Sequence, residues 1–281
     1  MNDIHKHIFA LYAPGLSAGC DAFEIGAPFE YKNELMWQRI VRILRLRAGE
    51  TVTLFDNTCS INVIISDRTF LDKKQISISG VLTAYSRNHI LFPEIIFYPC
   101  ITKRDTFETI VYAAAQMGAS KIVPVISEKV QRELAGPKEL DRIQKIMIAA
   151  CEQARQFVIP EFCEPIKLAQ VAHHEFIEGE SFGDAKILHK ICFECDGASI
   201  RELAQKLSSI TSDNSLNAQV AGAREIQSIK ICVVQGPEGG LTDKEVSFLR
   251  SQKFDIYALT PTILRSQDAV LVGLGFLRSF I

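Results

Sequence analysis

The stretch that decides the fold is Ile229-Lys-Ile-Cys-Val-Val-Gln-Gly-Pro-Glu-Gly-Gly-Leu-Thr-Asp-Lys-Glu245. It opens with an apolar run typical of a buried strand and continues into the loop Gly236-Pro-Glu-Gly-Gly240. Thr242 followed by Glu245 is the capping-box pattern that starts a helix. Three glycines let the connecting backbone turn sharply and approach a ligand closely. The loop is not G-x-G-x-x-G and does not indicate a dinucleotide site; by spacing alone, a tight strand-to-helix turn is the simplest interpretation.

The alternation of strand and helix extends in both directions from this stretch. We predict strands at residues 95–98, 121–126, 186–194, 229–235 and 254–259. Helices are predicted from Asp105 to Gly118, where Asp105 and Glu108 suggest a second capping box, and at 140–154, 200–207 and 266–280. This order predicts an α/β fold with a mostly parallel sheet covered on both faces. Ligands of such sheets bind at the carboxyl ends of the strands, which is where the glycine loop lies.

The first part of the chain has a different pattern, with short strands around one helix. Strands are predicted at 52–55, 61–65 and 76–81, and a helix at 33–46 with Met36, Ile40, Ile43 and Leu44 on its inner face. Strands that wrap one helix within a short segment suggest a small barrel. We therefore divide the chain into residues 1–82, a linker at 83–92 and a second domain at 93–281.

An arginine stripe lies on the helix of the first domain and at its exit. Its members are Arg39, Arg42, Arg45 and Arg47. Arginine suits phosphate better than lysine does, which favours a phosphate-binding surface; the alternative is an ordinary solvated helix face. The net charge of −2 excludes a protein coated in basic charge, so a local surface of this kind would have to supply any attraction to nucleic acid.

A second loop with polar edges, Leu259-Thr-Pro-Thr-Ile-Leu-Arg265, also follows a strand and leads into a helix. Arg265 stands at the entry of that helix, where the positive end of the dipole disfavours a cation. Such a placement suggests function, although an arginine that leans into solvent is the alternative. No nucleophile and base are recognisable as a catalytic pair, which argues against a plain small-molecule enzyme.

Composition limits the class of protein. Hydrophobic residues make up 47% and charged residues 23%, as in soluble globular proteins. The longest apolar stretch, 269–277, is about half of a bilayer span, and the first residues lack a signal-peptide pattern, so we expect a cytoplasmic protein without membrane contact. The eight cysteines are interpreted as reduced thiols. Cys192 and Cys195 have metal-ligand spacing but no second ligand pair, and a strand would point them to opposite faces, so we expect no metal.

Several motifs together resemble the bacterial 16S rRNA uridine-N3 methyltransferases of the SPOUT class. In order they are Lys103-x-Asp105, Gly118-Ala-Ser-Lys-Ile-Val-Pro-Val-Ile-Ser-Glu128, Glu152-Gln153, Val158-Ile-Pro-Glu161, the glycine loop and Leu259-x-Pro-x-Ile-Leu-Arg265. The run Arg42-Ile-Leu-Arg-Leu-Arg-Ala-Gly-Glu50 with Leu54-Phe-Asp-Asn57 resembles that family's N-terminal barrel. The resemblance covers nearly the whole chain apart from a polar excursion at 211–228.

The resemblance implies a PUA-like β-barrel followed by a SPOUT domain with a trefoil knot, an exception to unknotted chains. It implies S-adenosylmethionine as cofactor, a homodimer, and a uridine in the decoding region of 16S rRNA as target, in the assembled small ribosomal subunit. It also implies Arg265 as the group that stabilises a deprotonated uracil. Carried over by position, the cofactor loops would contain Phe193, Glu194, Gly236, Glu238, Gly239, Gly240, Leu259, Pro261, Ile263 and Leu264.

Two departures from the family pattern leave alternatives open. After Glu152-Gln153 the family usually has a small residue and then Gly-Arg, but here the chain reads Ala154-Arg155-Gln156. After the Leu-Arg pair, Thr-Glu-Thr-Ala is typical, but here it is Ser266-Gln-Asp-Ala269. A catalytically impaired, RNA-binding ribosome-assembly factor and a SPOUT methyltransferase of another RNA are therefore the alternatives to the rRNA enzyme.

Overall fold

The computed structural model describes residues 8–71, 76–130, 132–134, 136–174, 187–208 and 229–279. The chain divides into two compact units. The first contains the residues up to His89 together with Cys151–Val158, and the second contains Ile90–Ala150 and the residues from Ile159 onward. The polar excursion at 211–228 lies outside the described residues. No helix within the described ranges is long and apolar enough to cross a membrane.

The first unit is built on a five-stranded sheet with the order β1-β3-β4-β5-β2. Its strands are β1 Phe9–Tyr12, β2 Pro28–Lys32, β3 Thr51–Phe55, β4 Cys59–Ile65 and β5 Ser77–Arg87. β1 pairs with β3 in parallel, and the other neighbours are antiparallel. β2 was not predicted, because its exposed residues alternate with half-buried ones and leave no apolar run. Within the described residues the sheet has two edges, β1 and β2.

The predicted helix of this unit forms, but its geometry changes midway. Asn33 caps α1, Glu34–Gln38, and its side-chain oxygen accepts a hydrogen bond from the backbone N–H of Met36 at 3.0 Å. Arg39–Ile43 then form a π-helical turn, in which the N–H of Leu44 reaches the carbonyl of Arg39. Met36 and Ile40 enter the core as predicted. Ile43 is 70% exposed, so its predicted inward position was wrong: the wider turn rotates it out of the buried face.

Chain segments far apart in sequence complete the first unit. β5 continues as a strand to Arg87, so half of the linker expected at 83–92 is part of the sheet. The short helix α2, Arg68–Leu71, precedes this strand. The segment Cys151–Val158 includes the last turn of the long helix α4, Gly136–Ala154, and belongs to the first unit although the remainder of α4 belongs to the second. Sequence periodicity does not reveal such an exchange, because it depends on contacts between distant segments.

The second unit contains a six-stranded sheet with the order β13-β11-β12-β6-β7-β9. Its strands are β6 Glu94–Pro99, β7 Lys121–Ile122, β9 Glu161–Phe162, β11 Ile187–Ser199, β12 Ile229–Gln235 and β13 Asp255–Ala258. All neighbouring pairs are parallel, as predicted. β8 Val125–Ile126 and β10 Ile166–Lys167 form a separate parallel pair. The single strand predicted at 121–126 is thus divided between β7 and β8, with Val123 and Pro124 between them.

Helices cover this sheet. They are α3 Arg104–Gln116, most of α4, α5 at 200–208, α6 Asp243–Ser251 and α7 Ser266–Ser279. The predicted Thr242–Glu245 capping box is present at α6. The capping box predicted at Asp105 was wrong. α3 begins one residue earlier, Lys103 precedes it without a side-chain cap, and the Glu108 carboxylate binds Arg104 and Arg142 instead.

Candidate functional site

Three neighbouring parallel strands end at one edge of the second unit's sheet. β12 lies beside β11, and β11 lies beside β13. The segments that follow these strands therefore meet, although they are far apart in sequence. They are the residues after Phe193, the Gly236–Gly240 loop and the loop that begins at Leu259. These are the three segments expected from the sequence, two of them from their residue types and the third from the family resemblance.

A bulge in β11 shapes the first of these segments. Phe193 and Ala198 both take Tyr257 of β13 as register partner, so the residues between them leave the ladder. Gly197 permits this arrangement, because a Cβ atom there would lie 2.5 Å from the carbonyl carbon of Tyr257. The bulge sends Glu194 toward the glycine loop, where its carboxylate accepts hydrogen bonds from the backbone N–H groups of Leu241 and Cys195, each at 3.2 Å. The sequence predicted the strand but not this bulge.

The glycine loop needs glycine at two positions for different reasons. Gly240 has a φ of +65°, a conformation that L side chains rarely adopt. A Cβ atom on Gly236 would lie 3.3 Å from Leu241 Cγ and 3.4 Å from a carboxylate oxygen of Glu194. By contrast, a Cβ atom on Gly239 would only reach Lys129 Cδ at 3.5 Å, an ordinary contact. The open side of this loop is therefore at Gly239.

Hydrogen bonds hold the glycine loop in place. The ammonium of Lys129 donates to the carbonyl oxygens of Gly239 at 2.7 Å and of Leu241 at 3.3 Å. A carboxylate oxygen of Glu238 accepts from the backbone N–H of Lys103 at 3.3 Å. Lys103, which begins the first family-like motif, and Lys129, which directly follows the second, thus support the loop.

Helix α7 forms the third wall and packs closely against the end of β11. A Cβ atom on Gly273 would lie 2.5 Å from the ring of Phe193, so the glycine sets the distance between helix and strand. At the other end of α7, the Arg278 guanidinium donates to four carbonyl oxygens, those of Leu91, Pro93, Met117 and Gly118. Burial lowers the pKa of Arg278 to about 10, so it remains cationic at neutral pH.

These walls enclose a cavity of about 330 Å³. Of the ten residues expected to bind a cofactor, nine line this cavity, and the exposed Pro261 does not. Seven further lining residues were missed: Cys195, Gln235, Pro237, Thr260, Thr262, Ser266 and Ala269. Most of these are sequence neighbours of expected residues, so extending each motif by a residue or two would have found them. Burial, followed by the charges of Glu194 and Asp196, raises the pKa of the Cys195 thiol, which argues against a thiolate nucleophile.

Arg265, the candidate catalytic residue, is exposed and is not among the residues that line the cavity. Its carbonyl accepts hydrogen bonds from the N–H groups of Asp268 and Ala269, so the residue stands at the start of α7 as the sequence predicted. Within the part of the chain that the structure describes, its guanidinium makes no hydrogen bond or ion pair. The cation is therefore at the entry of a helix that lines the cavity, available to a substrate.

The arginine stripe of the first unit is not uniform. Arg39 makes a bidentate ion pair with Glu152, with distances of 2.8 and 2.6 Å, and Glu152 also accepts from the backbone N–H of Tyr12. Arg42 is exposed and stacks 5.8 Å from the centre of the Trp37 ring. Arg45 and Arg47 are exposed. Of the four arginines, Arg39 therefore contributes to the packing of the unit, while the other three present their side chains to solvent.

A sheet of parallel strands with a ligand-sized cavity at its carboxyl edge defines an α/β cofactor-binding enzyme domain. A family model described as the RNA methyltransferase domain matches residues 91–278. This match covers more than half of the chain. The chain belongs to the RNA methyltransferase family.

Relatives and solved structures agree with this family. Ribosomal RNA small subunit methyltransferase E of Aquifex aeolicus (strain VF5) is 25% identical over 189 residues, which cover 66% of this chain and 69% of that protein. The protein of that name from Synechocystis is 24% identical over 245 residues, 85% of this chain and 69% of the relative. A putative methyltransferase from Legionella pneumophila, solved with the cofactor SAM bound, has the same fold, with a TM-score of 0.69, 21% identity and 98% of each chain covered.

Proposed function

We propose that this protein uses S-adenosylmethionine to methylate N3 of one uridine in 16S rRNA. The observation that carries the proposal is the cavity formed by the ends of β11, β12 and β13 in a member of the RNA methyltransferase family. The names of the relatives support the choice of small-subunit rRNA. The family-like motifs around Lys103, Gly236–Gly240 and Leu259–Arg265 support the choice of uridine N3.

The cavity fits this cofactor in size and in chemistry. Its volume lies in the range of pockets that bury a ligand of this size. Phe193, Leu264 and Ala269 offer apolar surface for a flat base, whereas Glu194 places a carboxylate where a positively charged ligand would benefit. Gly239 leaves the backbone open to close approach. We expect the ten residues carried over from the family to supply most of the contacts, with Pro261 shaping its loop from outside the cavity.

When bound, the sulfonium cofactor supplies an electrophilic methyl group and needs no metal. The protein must then orient uracil N3 for in-line attack and allow the loss of its proton. The Arg265 guanidinium, exposed at the start of α7, would stabilise the negative charge that spreads onto the uracil oxygens. The target base must also be exposed from its helix before N3 can react.

We propose that the first unit, which includes the predicted first domain at residues 1–82, is a PUA-like barrel. It binds rRNA through Arg42, Arg45 and Arg47. The remainder, from about residue 93, would be a SPOUT domain with a trefoil knot.

A homodimer is supported by α7, where Leu271 and Val272 are each 42% exposed beside the buried Val270 and Leu274. A monomer mass by light scattering at concentrations well above micromolar would contradict the dimer. We propose a cytoplasmic location, since the proposed substrate is the assembled small ribosomal subunit.

Mass mapping of 16S rRNA from a strain that lacks this gene tests the proposed function. We expect one uridine of the decoding region to lose a methyl group at N3 and to regain it when the purified protein and S-adenosylmethionine are added to small subunits. RNA binding without methyl transfer would select the impaired assembly factor. A methyl group missing from tRNA instead would select the enzyme of another RNA.

A further inference from the structure

Gln235, the last residue of β12, is not explained by the packing of the second unit. Its side chain is 3% exposed, and the residue lines the cavity directly before the glycine loop. The side-chain N–H group donates to the carbonyl oxygen of Ser266, at the start of α7. The side-chain oxygen Oε1 has no hydrogen-bond partner among the described residues. One half of the amide therefore connects two walls of the cavity, and the other half is an unsatisfied buried acceptor.

An unsatisfied buried acceptor costs about 1–3 kcal/mol, so its presence at a ligand cavity points to a donor supplied by the ligand. The orientation of the amide supports this interpretation. Because the carbonyl of Ser266 can only accept, the Gln235 nitrogen must face it, and the oxygen must face elsewhere. A hydrophobic residue of similar size would fill the position without this cost. The presence of the amide therefore indicates that its oxygen accepts a hydrogen bond when a ligand is bound.

The charges around the cavity indicate which donor this is. The cationic groups of a methionine-type ligand are best matched by the carboxylate of Glu194, whereas a neutral amide oxygen suits a neutral N–H donor. The apolar surfaces of Phe193 and Ala269 line the same cavity and can hold a flat ring. Glutamine amides commonly recognise adenine at its exocyclic amine, and one acceptor oxygen is sufficient for one of its two hydrogens.

We propose that Gln235 is a specificity-determining residue whose Oε1 accepts a hydrogen bond from the exocyclic amine of the cofactor's adenine. This inference rests on the proposed function, since it assumes an adenosyl cofactor in the cavity. It explains why a polar residue directly follows the buried apolar run Ile231–Val234 of β12. It also predicts that the protein rejects a cofactor in which a carbonyl replaces the amine, because two acceptor oxygens would then face each other.

Calorimetric titration with S-adenosylhomocysteine and S-inosylhomocysteine tests the proposal. The two ligands differ at the 6-position of the base, where a carbonyl replaces the amine, and at the adjacent N1, which carries a hydrogen in the inosyl ligand. The N1 difference is the same for parent and variants, so the change in the affinity ratio on substitution of Gln235 isolates the contact to the amine. We expect the parent protein to bind the adenosyl ligand at least about tenfold more tightly, the value of one neutral hydrogen bond. Gln235→Met should lower this ratio by about tenfold, because the contact to the amine is lost. Gln235→Glu, which keeps an acceptor oxygen, should retain most of it. Gln252→Met, at the end of α6 and outside the cavity, is the matched control and should leave the ratio unchanged.

The outcomes separate the inference from the function on which it rests. A parent protein that binds neither ligand would contradict the adenosyl cofactor itself. If the parent binds both ligands equally well, the inference is wrong even if the variants fold poorly. If Gln235→Met weakens both ligands by the same factor, or if the Met and Glu variants behave alike, Gln235 only connects β12 to α7 and the adenine is recognised by other groups.

Discussion

The cavity of the second unit and the arginine stripe of the first differ in how they are constructed. The cavity is made by backbone segments at the ends of three strands, and its members lie between Phe193 and Ala269. The stripe consists of side chains on the π-helical turn Arg39–Ile43 and on the irregular segment that follows it. Nine of ten expected residues line the cavity, but one of four arginines has its guanidinium occupied by a carboxylate.

The difference shows which kind of sequence pattern correctly predicts the residues of a site in the folded protein. Strand, glycine loop and capped helix constrain the backbone locally, so their arrangement is largely set before distant contacts form. A run of charges constrains nothing about its partners. Glu152 stands 113 residues after Arg39, and only the packing of the Cys151–Val158 segment into the first unit brings them together. Charge patterns therefore overcount the side chains that are free to bind a ligand.

Gly239→Val is expected to have the largest effect on this contrast. The φ of Gly239 lies outside the left-handed region, and a Cβ atom there would make only an ordinary contact with Lys129 Cδ at 3.5 Å. Valine should therefore fold without strain and fill the approach path of the cofactor. We expect S-adenosylhomocysteine to bind about 100-fold more weakly by calorimetry, as for an overpacked pocket. RNA binding should not change. If the folded variant binds the cofactor as tightly as the parent, the glycine loop is not part of the cofactor site.

Arg265→Ala should slow methyl transfer by about 100-fold, the usual loss for one group that stabilises developing charge. Cofactor affinity should stay close to that of the parent, since Arg265 does not line the cavity. Single-turnover methylation of small subunits at saturating cofactor measures the change. Arg250→Ala, an exposed arginine of α6, is the matched control. An equal loss of cofactor affinity would make Arg265 a structural residue of its loop.

Reversing Arg42 and Arg45 to glutamate should weaken the binding of small-subunit RNA by about tenfold at low salt and flatten its salt dependence. Both side chains are exposed, so the unit should remain folded. Filter binding across a salt series measures the slope, and cofactor titration of the same variant provides the control. If the doubly reversed protein bound and methylated subunits as the parent does at every salt concentration, the stripe would be only a solvated face.

Arg39→Ala should have the smallest effect on RNA affinity. Its main effect should be on the stability of the first unit. Its guanidinium is bound to Glu152, whose side chain is 9% exposed and would lose its ion-pair partner. We expect the first unit to lose about 1 kcal/mol of unfolding free energy, because the arginine itself is partly exposed and solvent screens the pair. Chemical denaturation measures this loss. RNA affinity should change less than twofold. A loss of affinity as large as that of the Arg42 and Arg45 variant would show that Arg39 also contributes to RNA binding.

The sequence by itself determined the regular parts of this protein. The parallel orientation of β6, β11, β12 and β13 follows from apolar runs separated by helices. The start of α6 follows from the capping box of Thr242 and Glu245. These signals are local, because hydrophobic periodicity and capping depend on residues a few positions apart. The glycine loop and the Leu259–Arg265 loop were recognisable for the same reason.

Only the tertiary structure decided the features that depend on distant partners. The β11 bulge depends on the close contact between Gly197 and the backbone of Tyr257. The exposure of Ile43 depends on a π-helical turn. In the sequence, Gln235 is simply the last residue of a predicted strand. In the structure its amide N–H donates to the carbonyl of Ser266, and its oxygen is buried without a hydrogen-bond partner among the described residues. Such features arise because long-range packing adds donors, acceptors and steric contacts that no short window of sequence contains.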